Sequence, residues 1–99
     1  MTTFEWDEEK RRFALQKHGL DFLEAVEIFE TDHLCLPGRS DIEIREIAVG
    51  YVNENYLAVV FTMRGEATRI ITVRKARRDE REAYDAYVAR RDTQDEKPD

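Results

Sequence analysis

The chain is expected to fold as a single α+β domain, and three observations predict it. Apolar residues recur at helical spacing early on, at Phe22, Ala25, Val26 and Phe29. Runs rich in β-branched and aromatic residues then follow between Ile42 and Lys75, and helical spacing returns at Ala83, Tyr84, Tyr87 and Val88. Helices followed by a run of strands point to an α+β arrangement rather than strictly alternating α/β units. The predicted sheet has about four mostly antiparallel strands, with two N-terminal helices and one C-terminal helix. Helices are expected on one face, leaving the other partly open. A length of 99 residues allows one hydrophobic core. The domain is expected to span residues 1–91, with 92–99, polar and carrying Pro98, as a flexible tail.

Each element has a local reason. Thr3 to Trp6 reads as a short extended segment. Asp7 is placed to cap a helix with Glu8 and Glu9 in its first turn, where acids suit the dipole. That helix runs to about His18, and Gly19 supplies the left-handed cap. Asp21-x-x-Glu24 is a variant capping box opening the second helix, which Ile28 widens and Thr31-Asp32 ends. Leu34 to Leu36 reads as a short strand stopped by Pro37-Gly38, with a loop over 38–41. Ile42 to Val52 and Tyr56 to Met63 read as strands of a hairpin about Asn53-Glu54-Asn55. The second run is apolar on both faces, as in a central strand. Arg64-Gly65-Glu66 turns into a last strand, Ala67 to Lys75. Asp79-x-x-Glu82 opens the final helix.

Composition narrows the function. The net charge of −6 argues against a general nucleic-acid binder. Its distribution is uneven, however. Residues 1–33 hold nine acids and four Lys or Arg, whereas 64–91 hold nine Lys or Arg and five acids. Such asymmetry fits either a local nucleic-acid site or a solvated helix with paired surface charges. Cys35 is the single cysteine, which excludes an internal disulfide and suits a reduced, cytoplasmic setting. No apolar run approaches the length of a membrane span, and no signal-peptide pattern opens the sequence.

The candidate chemistry lies in cations. Arg74 and Lys75 are adjacent on a strand, so they point to opposite faces. Arg64 lies in the preceding turn and Arg45 on a neighbouring strand. Arginine's fixed, permanently charged fork suits phosphate oxygens. Arginines converging on the sheet would hold a phosphate and stabilise its transition state. The purely structural alternative pairs them with Glu43, Glu46 or Glu80. His18 suits proton transfer near neutral pH, or else simply caps its helix. Glu80 could orient Arg74 or accept a proton. Tyr84, four residues on, shares its helix face and could stack on a base. The histidines, cysteine and acids show no metal-site spacing, and no Gly-rich phosphate loop or nucleophile motif is present. No cofactor is therefore expected.

Several motifs in order resemble one family. Phe4 to Asp7, Lys10, Lys17-His18-Gly19, Phe22 with Glu24-Ala25, Arg45 to Gly50, Ile71 to Ala76, Glu80-Arg81 and Tyr84 are similar to the BrnT pattern. This family comprises ribonuclease toxins of bacterial type II toxin–antitoxin systems, with a RelE-like fold. Ala14 stands where the family usually has Asn. Arg77 replaces its usual Ser or Thr, and Thr72-Val73 its small pair. The resemblance implies an endoribonuclease that lowers translation and growth. It implies neutralisation by a cognate BrnA-like antitoxin with a ribbon-helix-helix DNA-binding segment, in a 2:2 assembly that meets operator DNA only through the antitoxin.

Together these readings predict metal-independent cleavage of single-stranded RNA. The 2′-hydroxyl would attack the adjacent phosphate, with Arg45, Arg64 and Arg74 on the phosphate. His18 or Glu80 would move protons, and Lys17, Lys75 and Tyr84 would contact the RNA. The alternative is a catalytically weak or inactive protein-binding module that acts with its antitoxin in operon repression.

Overall fold

A computed structural model describes residues 3–39, 41 and 43–95, with side chains as far as Arg91. The elements run β1 (Thr3–Trp6), α1 (Glu8–His18), α2 (Phe22–Glu30), β2 (His33–Pro37), β3 (Glu46–Val52), β4 (Asn55–Arg64), β5 (Ala67–Lys75) and α3 (Arg78–Asp95). The sheet order is β1-β5-β4-β3-β2. The expected α+β class is present. The short opening segment joins as a fifth strand, and it pairs parallel to β5, making the sheet mixed.

The local signals form as the residues dictate. Asp7 accepts a hydrogen bond from the Glu9 N–H at 2.8 Å, and Gly19 closes α1 at φ 68°. Asp21 and Glu24 complete a reciprocal capping box at α2. Arg11 adds a tie, donating from Nε to Asp21 Oδ1 at 2.7 Å, and holds the Asp21 carboxyl below the usual range. Asn53 and Glu54, both with positive φ, form a two-residue hairpin turn between Val52 and Asn55. The third strand begins later than the sequence suggested. The described residues become strand at Glu46, and Ile42 lies outside them.

The final helix starts differently too. It begins at Arg78, not with Asp79 as its cap. Glu80 occupies the third position and accepts the Arg77 backbone N–H at 2.7 Å, half of a capping box. The helix continues to Asp95, so residues 92–95 of the expected 92–99 tail are helical, and 96–99 lie outside the described residues.

Period-two alternation separates the sheet's faces. On one face, the cross-strand row Ala48, Val59 and Val73 lies under α1 and α2. Ala14, Phe22, Ala25 and Ile28 fill the space above it, fully buried. Phe29 packs edge-on to Phe61 at 4.9 Å between ring centroids, and Trp6 to Phe22 at 6.0 Å. Ala14 is thus a core position, so the departure there concerns packing. Gly50 continues this face where Ile28 comes closest. A Cβ on Gly50 would lie 3.0 Å from Ile28 Cδ1. Gly50→Val is expected to destabilise by about 1–3 kcal/mol through overpacking, read as a lower thermal midpoint.

The opposite face is only half covered, and by a helix the sequence placed elsewhere. The chain leaves β5 at Lys75 and α3 crosses this second face towards β2. Tyr51, Tyr56 and Tyr84 form an edge-to-face series at 4.8 and 6.0 Å beneath and on α3. Tyr56 donates to Asp85 at 2.9 Å, and Arg91 pairs with Asp32 at the far end. The apolar side chains on this face need cover, so helices flank both faces rather than one.

Candidate active site

The uncovered half of the second face is a cleft of about 690 Å³. Its floor is one row across four strands: Leu36, Ile47, Val60 and Thr72. The segment Pro37 to Arg39 and Arg45 form one wall, and Arg77, Asp79 and Glu80 at the start of α3 form the other. Arg74 reaches in from the adjacent row, where its partner across β4 is the small Ala58.

Arg74 and Glu80 are the fixed centre of this cleft. The guanidinium donates through Nη1 to Oε1 at 2.8 Å and through Nη2 to Oε2 at 2.9 Å. Their side chains are 17% and 6% exposed. The Arg74 hydrogen bonds, helped by the Arg77 N–H, hold the Glu80 carboxyl below the ordinary carboxylate range despite burial. The same pairing raises Arg74 further above its already high value. Glu80 is therefore ionised at neutral pH with both oxygens committed. Arg74 keeps its Nε–H and the second N–H of Nη2 for a ligand.

Four arginines line the cleft against two carboxylates. Arg45 sits just before β3, where its carbonyl accepts the Gly38 N–H at 2.9 Å, extending the β2–β3 pairing. Its Nε donates to Glu43 at 3.1 Å. The pairings foreseen as the structural alternative thus exist for both Arg45 and Arg74, and both residues still face the cleft. Arg39 and Arg77 have no ion-pair partner among the described residues. Asp79 is the cleft's exposed carboxylate.

The structure brings together Arg45, Arg74 and Glu80 from the sequence candidates, and places the others elsewhere. Arg64 is the last residue of β4 and 67% exposed, 3.9 Å from Glu5 beside Arg69. His18 ends α1, which belongs to the layer on the other face. Lys17 lies over the Phe13 ring at 5.5 Å. Lys75 points to the face opposite Arg74, as adjacency demands, and donates to Asn55 at 2.9 Å. Tyr84 packs α3 onto Tyr56 and reaches the Asp32 carbonyl at 3.5 Å. Sequence reasoning missed Arg39 and Asp79 as cleft residues and noted Arg77 only as a departure. For Arg77 and Asp79, adjacency to the Glu80 helix start was an available signal. For Arg39 there was none. Among the described residues no three His, Cys, Asp or Glu side chains cluster as metal ligands, and no helix is long and apolar enough to cross a membrane.

The sequence model of one family, described as "Ribonuclease toxin, BrnT, of type II toxin-antitoxin system", matches residues 6–80. The chain belongs to the BrnT family. The match contains every residue of the cleft. Among solved structures, the ribonuclease toxin BrnT of Brucella abortus is similar at 34% identity with a TM-score of 0.62. The similarity covers 79% of this chain and 99% of that one. No curated protein matches the chain. Membership of BrnT identifies a toxin of the type II toxin–antitoxin class, so an antitoxin partner is implied.

Proposed function

We propose that this BrnT-family chain is an endoribonuclease toxin whose cleft cuts RNA by internal phosphoryl transfer. The observation that carries the reading is the arginine-lined cleft with Arg74 locked in place by Glu80. The ribonuclease description of the matched family supports it. RNA enters as an extended single strand over the apolar floor. Arg45 and Arg74 grip the scissile phosphate, and Arg39 and Arg77 hold its neighbours. The 2′-hydroxyl attacks that phosphate, the 5′-oxygen leaves, and the products are a 2′,3′-cyclic phosphate and a 5′-hydroxyl.

Charge grows on the non-bridging oxygens during this step, and fixed guanidinium groups stabilise it without reorganising. Glu80 is the orienting group for Arg74, not a base, because its oxygens are already occupied. Asp79 is the cleft carboxylate open to take the 2′-hydroxyl proton, and water returns one to the leaving oxygen. His18 lies outside this proposal for want of a path to the cleft. Cleavage would lower translation in the cytoplasm until a BrnA-like antitoxin, bearing the ribbon-helix-helix DNA contact, neutralises the toxin in a 2:2 assembly.

The test is cleavage of a defined oligoribonucleotide by purified protein with EDTA present. Retained cleavage with cyclic-phosphate ends supports the mechanism. Loss of cleavage in EDTA, or 3′-hydroxyl ends, rejects it. A soluble protein that binds antitoxin tightly yet cuts no RNA would return the chain to the role of a binding module in operon repression.

A further inference from the structure

The open face of the sheet continues past the cleft. The next row beyond the cleft floor is Thr62 on β4, Arg69 on β5 and Glu5 on β1, in register across the three strands. Thr62 is two residues, about 7 Å, along β4 from Val60 of the floor. Alternation fixes the facing. Phe4, Trp6, Phe61 and Ile70 belong to the core on the other face, so Glu5, Thr62 and Arg69 point to this one. Arg64, two residues beyond Thr62, joins them. The Thr62 hydroxyl donates to the Ile44 carbonyl at 2.6 Å and ties the segment that carries Arg45, a wall of the cleft, to this row.

Two guanidinium groups share one carboxylate oxygen here. Arg64 Nη1 and Arg69 Nη1 lie 3.9 and 3.8 Å from Glu5 Oε1, too far for hydrogen bonds. That oxygen is buried and receives no hydrogen bond from the described residues. The fold accounts for one of the two arginines. Arg69 is the cross-strand neighbour of Glu5, and an opposite-charge pair there helps to hold β1 on β5. Arg64 is surplus to that role, because its side chain is 67% exposed and a surface ion pair of this length adds little. The cluster therefore keeps two cations against one anion, two unused forks and an acceptor without a donor. The forks suit phosphate. A bare anion would also meet the charge of Glu5, so the ligand that fits brings an O–H donor beside its phosphate. A ribonucleotide does so through its 2′-hydroxyl, whereas a deoxynucleotide or a carboxylate side chain does not.

We propose that Glu5, Arg64 and Arg69 form a second nucleotide subsite, which holds a ribonucleotide of the RNA strand away from the scissile step, with the arginines on its phosphate and Glu5 accepting its 2′-hydroxyl. The proposal rests on the ribonuclease reading for the strand that reaches the subsite. Its consequence is a contact that distinguishes RNA from DNA at a distance from the reacting atoms.

The experiment compares two oligonucleotides of one sequence. One is all-ribose, and the other has ribose only at the mapped cleavage position and deoxyribose elsewhere. Both keep the hydroxyl that attacks, so both can be cut. Wild type is expected to show about a tenfold lower KM for the all-ribose strand, the effect of one hydrogen bond to a charged acceptor. Glu5→Ala removes that preference, and Glu5→Gln, which keeps an acceptor oxygen, retains most of it. Arg64→Ala raises KM for both strands by about three- to tenfold. The loss falls on KM rather than kcat, because the contact is the same before and during the reaction. It also reduces the slope of log affinity against log salt by about 0.7, one phosphate contact on a single strand. An arginine that only steadies the fold would leave that slope alone. An all-ribose preference that is absent in wild type or persists in Glu5→Ala overturns the proposal, as does an unchanged KM and salt slope in Arg64→Ala. If wild type cuts neither strand, the ribonuclease reading fails. The affinities of wild type, Glu5→Ala and Arg64→Ala for the all-ribose strand and its all-deoxyribose counterpart then decide the subsite, and absence of binding rejects it.

Discussion

Arg74→Ala is expected to lower RNA cleavage by about 10²- to 10³-fold, the loss that follows removal of one pre-organised transition-state donor. The same change also costs stability. It strips Glu80 Oε2 of its donor from Arg74 and leaves a carboxylate that is 6% exposed without its counter-charge. Breaking a buried pair from one side costs about 3–5 kcal/mol, and the residual exposure of Arg74 puts this one near 3 kcal/mol. That is a substantial share of the stability of a 99-residue domain. Rates must therefore be compared below the melting range of the variant. Arg74→Lys separates the two effects. It keeps the charge that Glu80 needs and loses the two-pronged fork, so it should regain stability and leave cleavage low. Single-turnover cleavage together with thermal melting measures both. A folded Arg74→Ala protein that cuts at the wild-type rate would remove Arg74 from the site.

Glu80→Ala should have the next largest effect, for two structural reasons. Arg74 loses its bidentate anchor, and α3 loses the side chain that accepts the Arg77 N–H at its start. A loss of about 3 kcal/mol is expected, since Arg74 is then the unpaired member. Cleavage should fall about ten- to a hundredfold through misplacement of the guanidinium. The pH dependence has a definite sign. The folded protein holds the Glu80 carboxyl below its unfolded value. Its stabilising contribution is therefore complete above the unfolded glutamate pKa of about 4.3 and is lost as pH falls towards the lower folded value. Asp21, depressed by Arg11, titrates in the same direction in every variant. The difference between wild type and Glu80→Gln isolates Glu80. Urea unfolding at neutral pH and at about pH 4 should show a smaller acid loss in Glu80→Gln. Equal losses in the two proteins would rule out this linkage.

The fold was largely legible because its signals are local. Asp7 and Gly19 bracket α1, the Asp21–Glu24 box starts α2, and Asn53-Glu54 turns β3 into β4 through contacts a few residues long. The parallel pairing of β1 was not legible in the same way. It joins Thr3–Trp6 to Ala67–Ile70, and nothing within either segment names the other. The start of α3 misled for a local reason. Asp79-x-x-Glu82 and Arg77-x-x-Glu80 both offer Glu at the third position. Arg74 decided between them by drawing Glu80 inward.

The site shows the same division more sharply. Residue types alone marked Arg45, Arg74 and Glu80 as candidates, because arginine suits phosphate and a nearby carboxylate suits arginine. Adjacency alone put Arg74 and Lys75 on opposite faces. Whether an arginine reaches the cleft depends on which strand row it occupies and on what covers that row. Arg64 belongs to the far end of the face beside Glu5, and Arg39 arrives from a wall some 35 positions before Arg74 in the chain. The sequence by itself determined the elements, their caps and the charges available, because these follow from spacing and side-chain chemistry. Only the tertiary structure decided which charges meet. Strand order and the path of α3 bring together residues that have no sequence proximity, and the α1 layer keeps His18 on the other side of the sheet.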